Sequence, residues 1–244
     1  MNIRVGLEYA FEGRWLAWAL DYPGCFAYGP DASGTLVQVV PALIAYQDWV
    51  ARNTSHSWLA NLGDFDIRLT EVWQIYRVDA DYEIVLEEGY EVNAWFQQDW
   101  LPLTRVDVRR AAQLLDWTRS DLLSVVAGLT DAQLDAEYPG QRWSIRGILS
   151  HVATAEWWYL DRLGLASLAR TALPKDPLER LSVVRHQLQS VLPDLEGVEQ
   201  VNGKLGELWS PRKLVRRALW HERDHVNHIV QLIAINDIQS CQGA

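Results

Sequence analysis

The 244-residue chain has only two cysteines, Cys25 and Cys241. They lie far apart and give neither a C-x-x-C nor a zinc-ribbon spacing, so reduced thiols in a cytoplasm are the simplest account. No apolar run approaches the roughly 18 residues needed to span a bilayer. The first residues, Met1-Asn-Ile-Arg-Val-Gly-Leu-Glu8, lack the basic start and long apolar stretch of a signal peptide. Positive charge is scarce as well: 22 Lys and Arg against 32 Asp and Glu give a formal charge of −10. Nucleic-acid binding relies on clustered Lys and Arg, so a general phosphate-binding surface is not expected. The expected setting is cytoplasmic, with no nucleic-acid and no membrane partner. The one basic cluster, Arg212-Lys213 with Arg216-Arg217, reads as a solvated face rather than a local anion site.

Histidine is uncommon too, but it is concentrated. Three of the six histidines fall within Trp220-His-Glu-Arg-Asp-His-Val-Asn-His-Ile229. From Ser210 to Ile238 there is no proline or glycine after Pro211, and the apolar repeat is helical. Steps of four and seven residues close to within roughly 40° of whole helical turns, so His221, His225 and His228 share one face. Neutral imidazoles are good ligands for zinc, nickel, copper or iron, and an i, i+4 pair can chelate one ion from adjacent turns. A tight site needs a third ligand from elsewhere. His151, on a second amphipathic helix after Trp143-Ser-Ile-Arg-Gly-Ile-Leu-Ser150, is the obvious donor. His221-Glu222-Arg223-Asp224-His225 also matches the zincin string H-E-x-x-H, in which the glutamate is the general base. The peptidase-sized fold and downstream ligand that normally surround that string are missing, and Glu222 and Asp224 turn away by about 100° per residue. These two are expected at the surface or behind the ligands.

Gly128-Leu-Thr-Asp-Ala-Gln-Leu134, Trp143 to Val152 with Glu156, and Leu219 to Leu232 together resemble the DinB-like superfamily, over about residues 107–240. The resemblance implies a four-helix bundle with a divalent metal, zinc, nickel or iron, held by His151, His221 and His225. His228 fits the same string without being an implied ligand. It further implies a homodimer and, from the metal-dependent thiol S-transferases of the superfamily, a low-molecular-weight thiol and an electrophile as substrates. The rival expectation is a non-enzymatic metal-holding stress protein.

The chain changes character near residue 105, so two domains are expected, 1–104 and 105–244. Before the change, Ile3, Val5, Leu7 and Tyr9 alternate as in a strand. A second strand follows from Trp15 to Leu20, then a turn over Asp21-Tyr-Pro-Gly-Cys25, a helix over 36–52, and further strands over 65–78 and 90–96. This order predicts a small α+β unit with a helix on one face of an antiparallel sheet. The stretch from Glu12 to Trp49 resembles the small module of HicB-type antitoxins, which implies a partner-binding or oligomerisation role for this half. After the change, helices are predicted over 107–127, 144–163, 177–192 and 211–238. Thr130 with Gln133, Asp176 with Pro177 and Glu179, Ser144, and Ser210-Pro211 mark helix starts. Gly128 and Gly164 mark helix stops. The thirteen tryptophans suit cores and interfaces alike, and Trp157-Trp158 is the predicted pocket wall beside His151.

Overall fold

The computed structural model describes residues 1–11, 13–55, 58–59 and 63–242, with side chains described at all of these except 10, 11 and 236–242. Glu12, at the start of the HicB-like stretch, and the Cys241 side chain therefore lie outside the described residues. The chain divides into two compact units, one of Met1–Pro102 with Glu199–Arg216, the other of Leu103–Val198 with Arg217–Ala244. The segment 199–216, placed by sequence with the helices, groups with the first unit.

In the first unit, β1 (Asn2–Phe11), β2 (Arg14–Ala19) and β3 (Phe26–Gly29) run antiparallel in succession. The alternation of β1 is the cause of its placement: Ile3, Val5 and Leu7 are all fully buried. The Asp21–Cys25 turn forms as predicted, with Gly24 at φ 86° and the Cys25 amide donating to the Tyr22 carbonyl at 2.8 Å. Cys25 is buried. Helix α1 (Ala32–Asn53) follows, four residues earlier than its apolar periodicity suggests. Its first turn is polar and is fixed instead by Asp31, whose carboxylate accepts from the Gly34 amide at 2.7 Å.

The predicted antiparallel sheet needs one correction. β4 (Asp66–Gln74) pairs with β1 in parallel, giving a mixed sheet of order β3-β2-β1-β4. A parallel pair needs a long crossover connection, which α1 supplies. The predicted strand over 65–78 is also split, because β5 (Tyr76–Val78) leaves the first sheet. It pairs with β6 (Ile84–Val85) and β7 (Tyr90–Val92) in a separate sheet. The strand predicted over 90–96 stops at Val92 because side chains take over its backbone groups. Glu8 accepts from the Ala94 amide at 2.9 Å, Asp99 from the Phe96 amide at 3.0 Å, and Arg216 donates to the Ala94 carbonyl at 3.0 Å. The hairpin of β8 (Asn202–Lys204) and β9 (Glu207–Trp209) turns through Leu205 and Gly206, both at positive φ.

The basic cluster is not a solvated face. Lys213, Arg216 and Arg217 are buried. Lys213 donates to Glu207 at 2.7 Å and to the Asn93 carbonyl at 3.3 Å, and Arg216 pairs with Asp99 at 2.6 Å. Arg212 donates to the carbonyls of Leu101 and Pro102 at 3.0 and 2.6 Å. Arg217 stacks over Trp220, 4.5 Å from its centroid.

One glycine of this unit is sterically required. A Cβ on Gly29 would lie 2.6 Å from the Thr35 amide nitrogen and 2.7 Å from its Cα. These are backbone atoms of a capped first turn and cannot swing aside. Gly29→Ala is therefore expected to destabilise by about 3 kcal/mol, the upper part of the usual overpacking range. An unchanged urea midpoint would contradict this reading of the close approach.

The second unit is helical. Its long helices are α2 (Arg105–Val126), α4 (Ile145–Arg162), α5 (Pro177–Val191) and α6 (Pro211–Gln242), with a single turn, α3 (Asp131–Leu134), between the first two. The first residues of α6, as far as Arg216, belong to the first unit. The predicted starts form as capped ends: Thr130 and Gln133 make a reciprocal capping box, Asp176 accepts from the Glu179 amide and Ser144 from the Gly147 amide. Gly128 and Gly164 end helices at positive φ. Leu122, Ile148, Leu149, Val152, Leu181 and Ile229 join one core from all four long helices. No helix among the described residues is long and apolar enough to cross a membrane.

Candidate metal centre

Helical spacing places His221 and His225 one turn apart on α6, and α4 brings His151 against them. The Nε2 atoms of His221 and His151 are 3.0 Å apart, and those of His225 and His221 are 3.2 Å apart. One ligand atom from each of the three lies within 4.8 Å of the others. His221 and His225 are each 8% exposed, whereas His151 is half-buried, so the cluster is accessible on the His151 side. Burial, then the neighbouring His225, His151 and Arg217, hold the His221 imidazole well below its ordinary pKa. Burial, then His151 and His228, push His225 down to about 3. Both rings are therefore neutral and offer lone pairs.

The arrangement fits a cation better than it fits hydrogen bonding. A neutral Nε2 holds either a proton or a lone pair, so His221 can at best share one of these between two neighbours. His225 Nδ1 is buried and has no hydrogen-bond partner among the described residues, so no acceptor fixes its tautomer. Tetrahedral ligation with metal–nitrogen bonds of about 2.0–2.1 Å separates ligating nitrogens by roughly 3.3 Å, close to the two distances observed.

The other candidates fall outside the cluster. His228 Nε2 lies 2.8 Å from Gln141 Oε1, and its ring centroid is 6.0 Å from that of His225. His186 is exposed on α5. The aromatic wall also differs from the prediction. Trp157 is buried and donates to the Leu168 carbonyl at 2.9 Å, and Trp158 lies under Arg162. It is Trp143 that stacks on His151, with centroids 4.3 Å apart and planes at 23°. Tyr159 meets His221 edge-on at 6.1 Å.

Glu222 is not a surface residue. It is 1% exposed and accepts from the Thr118 hydroxyl, from Arg119 Nε at 2.6 Å and from Arg185 Nη2 at 2.6 Å. Burial alone would raise its pKa, but Arg185 and Arg119 outweigh burial and hold the carboxyl below its ordinary value. A carboxylate saturated by three donors is no general base, which removes the zincin reading. Glu156 on α4 completes a closed ring: Arg185 meets it at 2.9 and 2.7 Å, and Arg119 meets it at 3.1 Å. Sequence reasoning missed this ring although a signal was present. Arg185 falls between Leu181 and Leu188, Glu156 between Val152 and Tyr159, and Glu222 between Leu219 and Val226, each a charge at a core-facing helical position.

These residues lie within the stretch that the comparisons with known proteins identify. Residues 114–229 match the family model of the DinB superfamily. No curated protein matches the chain. Among solved structures, the chain is similar to one described as "YfiT from Bacillus subtilis is a probable metal-dependent hydrolase with an unusual four-helix bundle topology", at 18% identity and a TM-score of 0.43, over 53% of this chain and 87% of that one. Residues 114–229 of this chain belong to the DinB superfamily.

Proposed function

We propose that His151, His221 and His225 hold a catalytic divalent metal ion and that the protein is a metal-dependent transferase joining a low-molecular-weight thiol to an electrophile. The observation that carries this reading is the convergence of three Nε2 atoms, at 3.0 and 3.2 Å. Two features favour a catalytic over a structural site. A set of three protein ligands leaves a coordination position open, whereas structural sites are closed by four. The half-buried His151 also leaves the cluster reachable by a small molecule. When bound, such an ion supplies Lewis-acid charge that lowers the pKa of a thiol or water on its open side. The protein keeps the His221 and His225 imidazoles neutral by burial, and the Trp143 face against His151 restrains that ring. Glu222 and Glu156 are each held by the two arginines, and Arg185 and Arg119 keep the Glu222 carboxyl below its ordinary pKa.

The test is elemental analysis of the purified full chain, then assays of the metal-loaded protein with glutathione, bacillithiol and mycothiol against a halo-dinitroaromatic and an epoxide. The expected result is thiol consumption that requires the metal. Metal in place with no turnover of any pair would favour a metal-holding, non-enzymatic protein. Metal-dependent loss of the epoxide without thiol consumption would point to water as the nucleophile.

A further inference from the structure

Four charged side chains meet in the interior of the helical unit, one from each long helix: Arg119 from α2, Glu156 from α4, Arg185 from α5 and Glu222 from α6. All four are buried. Each arginine bridges both glutamates. Each also reaches across to the other arginine's helix: Arg119 Nη1 donates to the Leu181 carbonyl of α5, and Arg185 Nη1 donates to the Leu115 carbonyl of α2. Thr118 adds a hydroxyl donor to Glu222. The charges cancel, and every link is directional.

Stability alone does not account for such a ring, since well-packed apolar side chains of similar volume commonly serve a buried position as well or better than ion pairs do. What the ring adds is geometric constraint, and the helices it constrains are informative. Its two acids lie on the two helices that carry the histidines: Glu156 is five residues beyond His151, and Glu222 sits between His221 and His225. Apolar contacts tolerate sliding by a fraction of a turn. A fork of short charge-assisted hydrogen bonds does not.

We propose that Arg119, Arg185, Glu156 and Glu222 are positioning residues for the metal centre: the ring fixes the register of α4 against α6, and hence the separation of His151 from His221 and His225. This rests on the metal reading above. It assigns the ring a role in the site without contact with the ion or substrate. Groups that orient metal ligands from behind typically change affinity by about 10- to 100-fold when removed.

The experiment uses the full chain and Co(II), whose visible absorption reports both affinity and coordination geometry. The first variant replaces the ring with apolar side chains, Arg119→Met, Glu156→Leu, Arg185→Met and Glu222→Leu together, leaving Thr118 its bond to the Leu115 carbonyl at 3.2 Å. It is expected to unfold cooperatively in urea at a midpoint no lower than the wild type. Its Co(II) affinity should nonetheless be at least about tenfold weaker, with an altered spectrum. The second variant, Arg185→Lys, keeps the charge but loses the planar fork. It should give a smaller change in the same direction, and it decides the matter if the fourfold variant does not fold. Wild-type affinity and spectrum in folded variants would overturn the proposal. Failure of the wild type to bind Co(II) would instead remove the metal reading, and this inference with it, before any variant is compared.

Discussion

Replacing His151, His221 or His225 by alanine, one at a time, is expected to reduce bound metal from about one ion per chain to a small fraction of that. Affinity should fall by more than about a hundredfold, beyond what loss of an outer-shell group produces. Two imidazoles on one helix face remain a chelate after loss of His151, but an i, i+4 pair alone is a weak site. Loss of His221 or His225 leaves single ligands on separate helices. The His228→Ala and His186→Ala changes should leave metal content nearly intact, because His228 is directed to Gln141 and His186 is exposed. Metal analysis of the five purified variants checks the assignment. Equal losses in His228→Ala and His225→Ala would show that the wrong pair on α6 has been chosen.

The second large effect lies in the first unit. Lys213→Met is expected to destabilise the protein by about 3–5 kcal/mol, the usual result of removing one partner of a buried pair. The lysine is wholly buried between Trp95 and Trp209, and its loss strands Glu207, which is 1% exposed, with the Tyr90 hydroxyl as its other polar partner. Adding Glu207→Gln should recover most of the loss. The pair also sets a pH dependence. Burial pushes the Lys213 ammonium down to about 8 from 10.5, against the pull of Glu207 and with the help of Arg216. Between those values the unfolded chain holds this proton and the folded chain does not, so stability should rise with pH across the window. The gain is fully present above 10.5 and lost as pH falls through about 8. Urea denaturation of the wild type and of Lys213→Met/Glu207→Gln across that range checks it. Parallel profiles would show that Lys213 titrates normally.

The helices of the second unit were legible in the sequence because apolar spacing and caps are local. The histidines of α6 were legible for the same reason: its spacing put His221, His225 and His228 on one face, a second amphipathic helix offered His151, and the family resemblance singled out His151, His221 and His225. Long-range partnerships were not legible. Nothing within a turn of Arg216 indicates that Asp99 neutralises it, 117 residues away, so the basic cluster read as solvated. The parallel pairing of β4 with β1 was hidden in the same way, since β4 carries its alternation whichever direction its neighbour runs. The β8–β9 hairpin escaped because three-residue strands are too short to establish a period, and Leu205-Gly206 is an unusual turn pair.

The charge ring has a consequence for how this protein can vary over evolutionary time. Its four members sum to zero, and each is hydrogen-bonded to both residues of opposite sign. A lineage that loses one of them carries an uncompensated charge in its interior until a second change follows. Neutral drift one position at a time is therefore closed off at 119, 156, 185 and 222. Among descendants of a common ancestor these positions should persist as a set or disappear as a set, with intermediate combinations scarce.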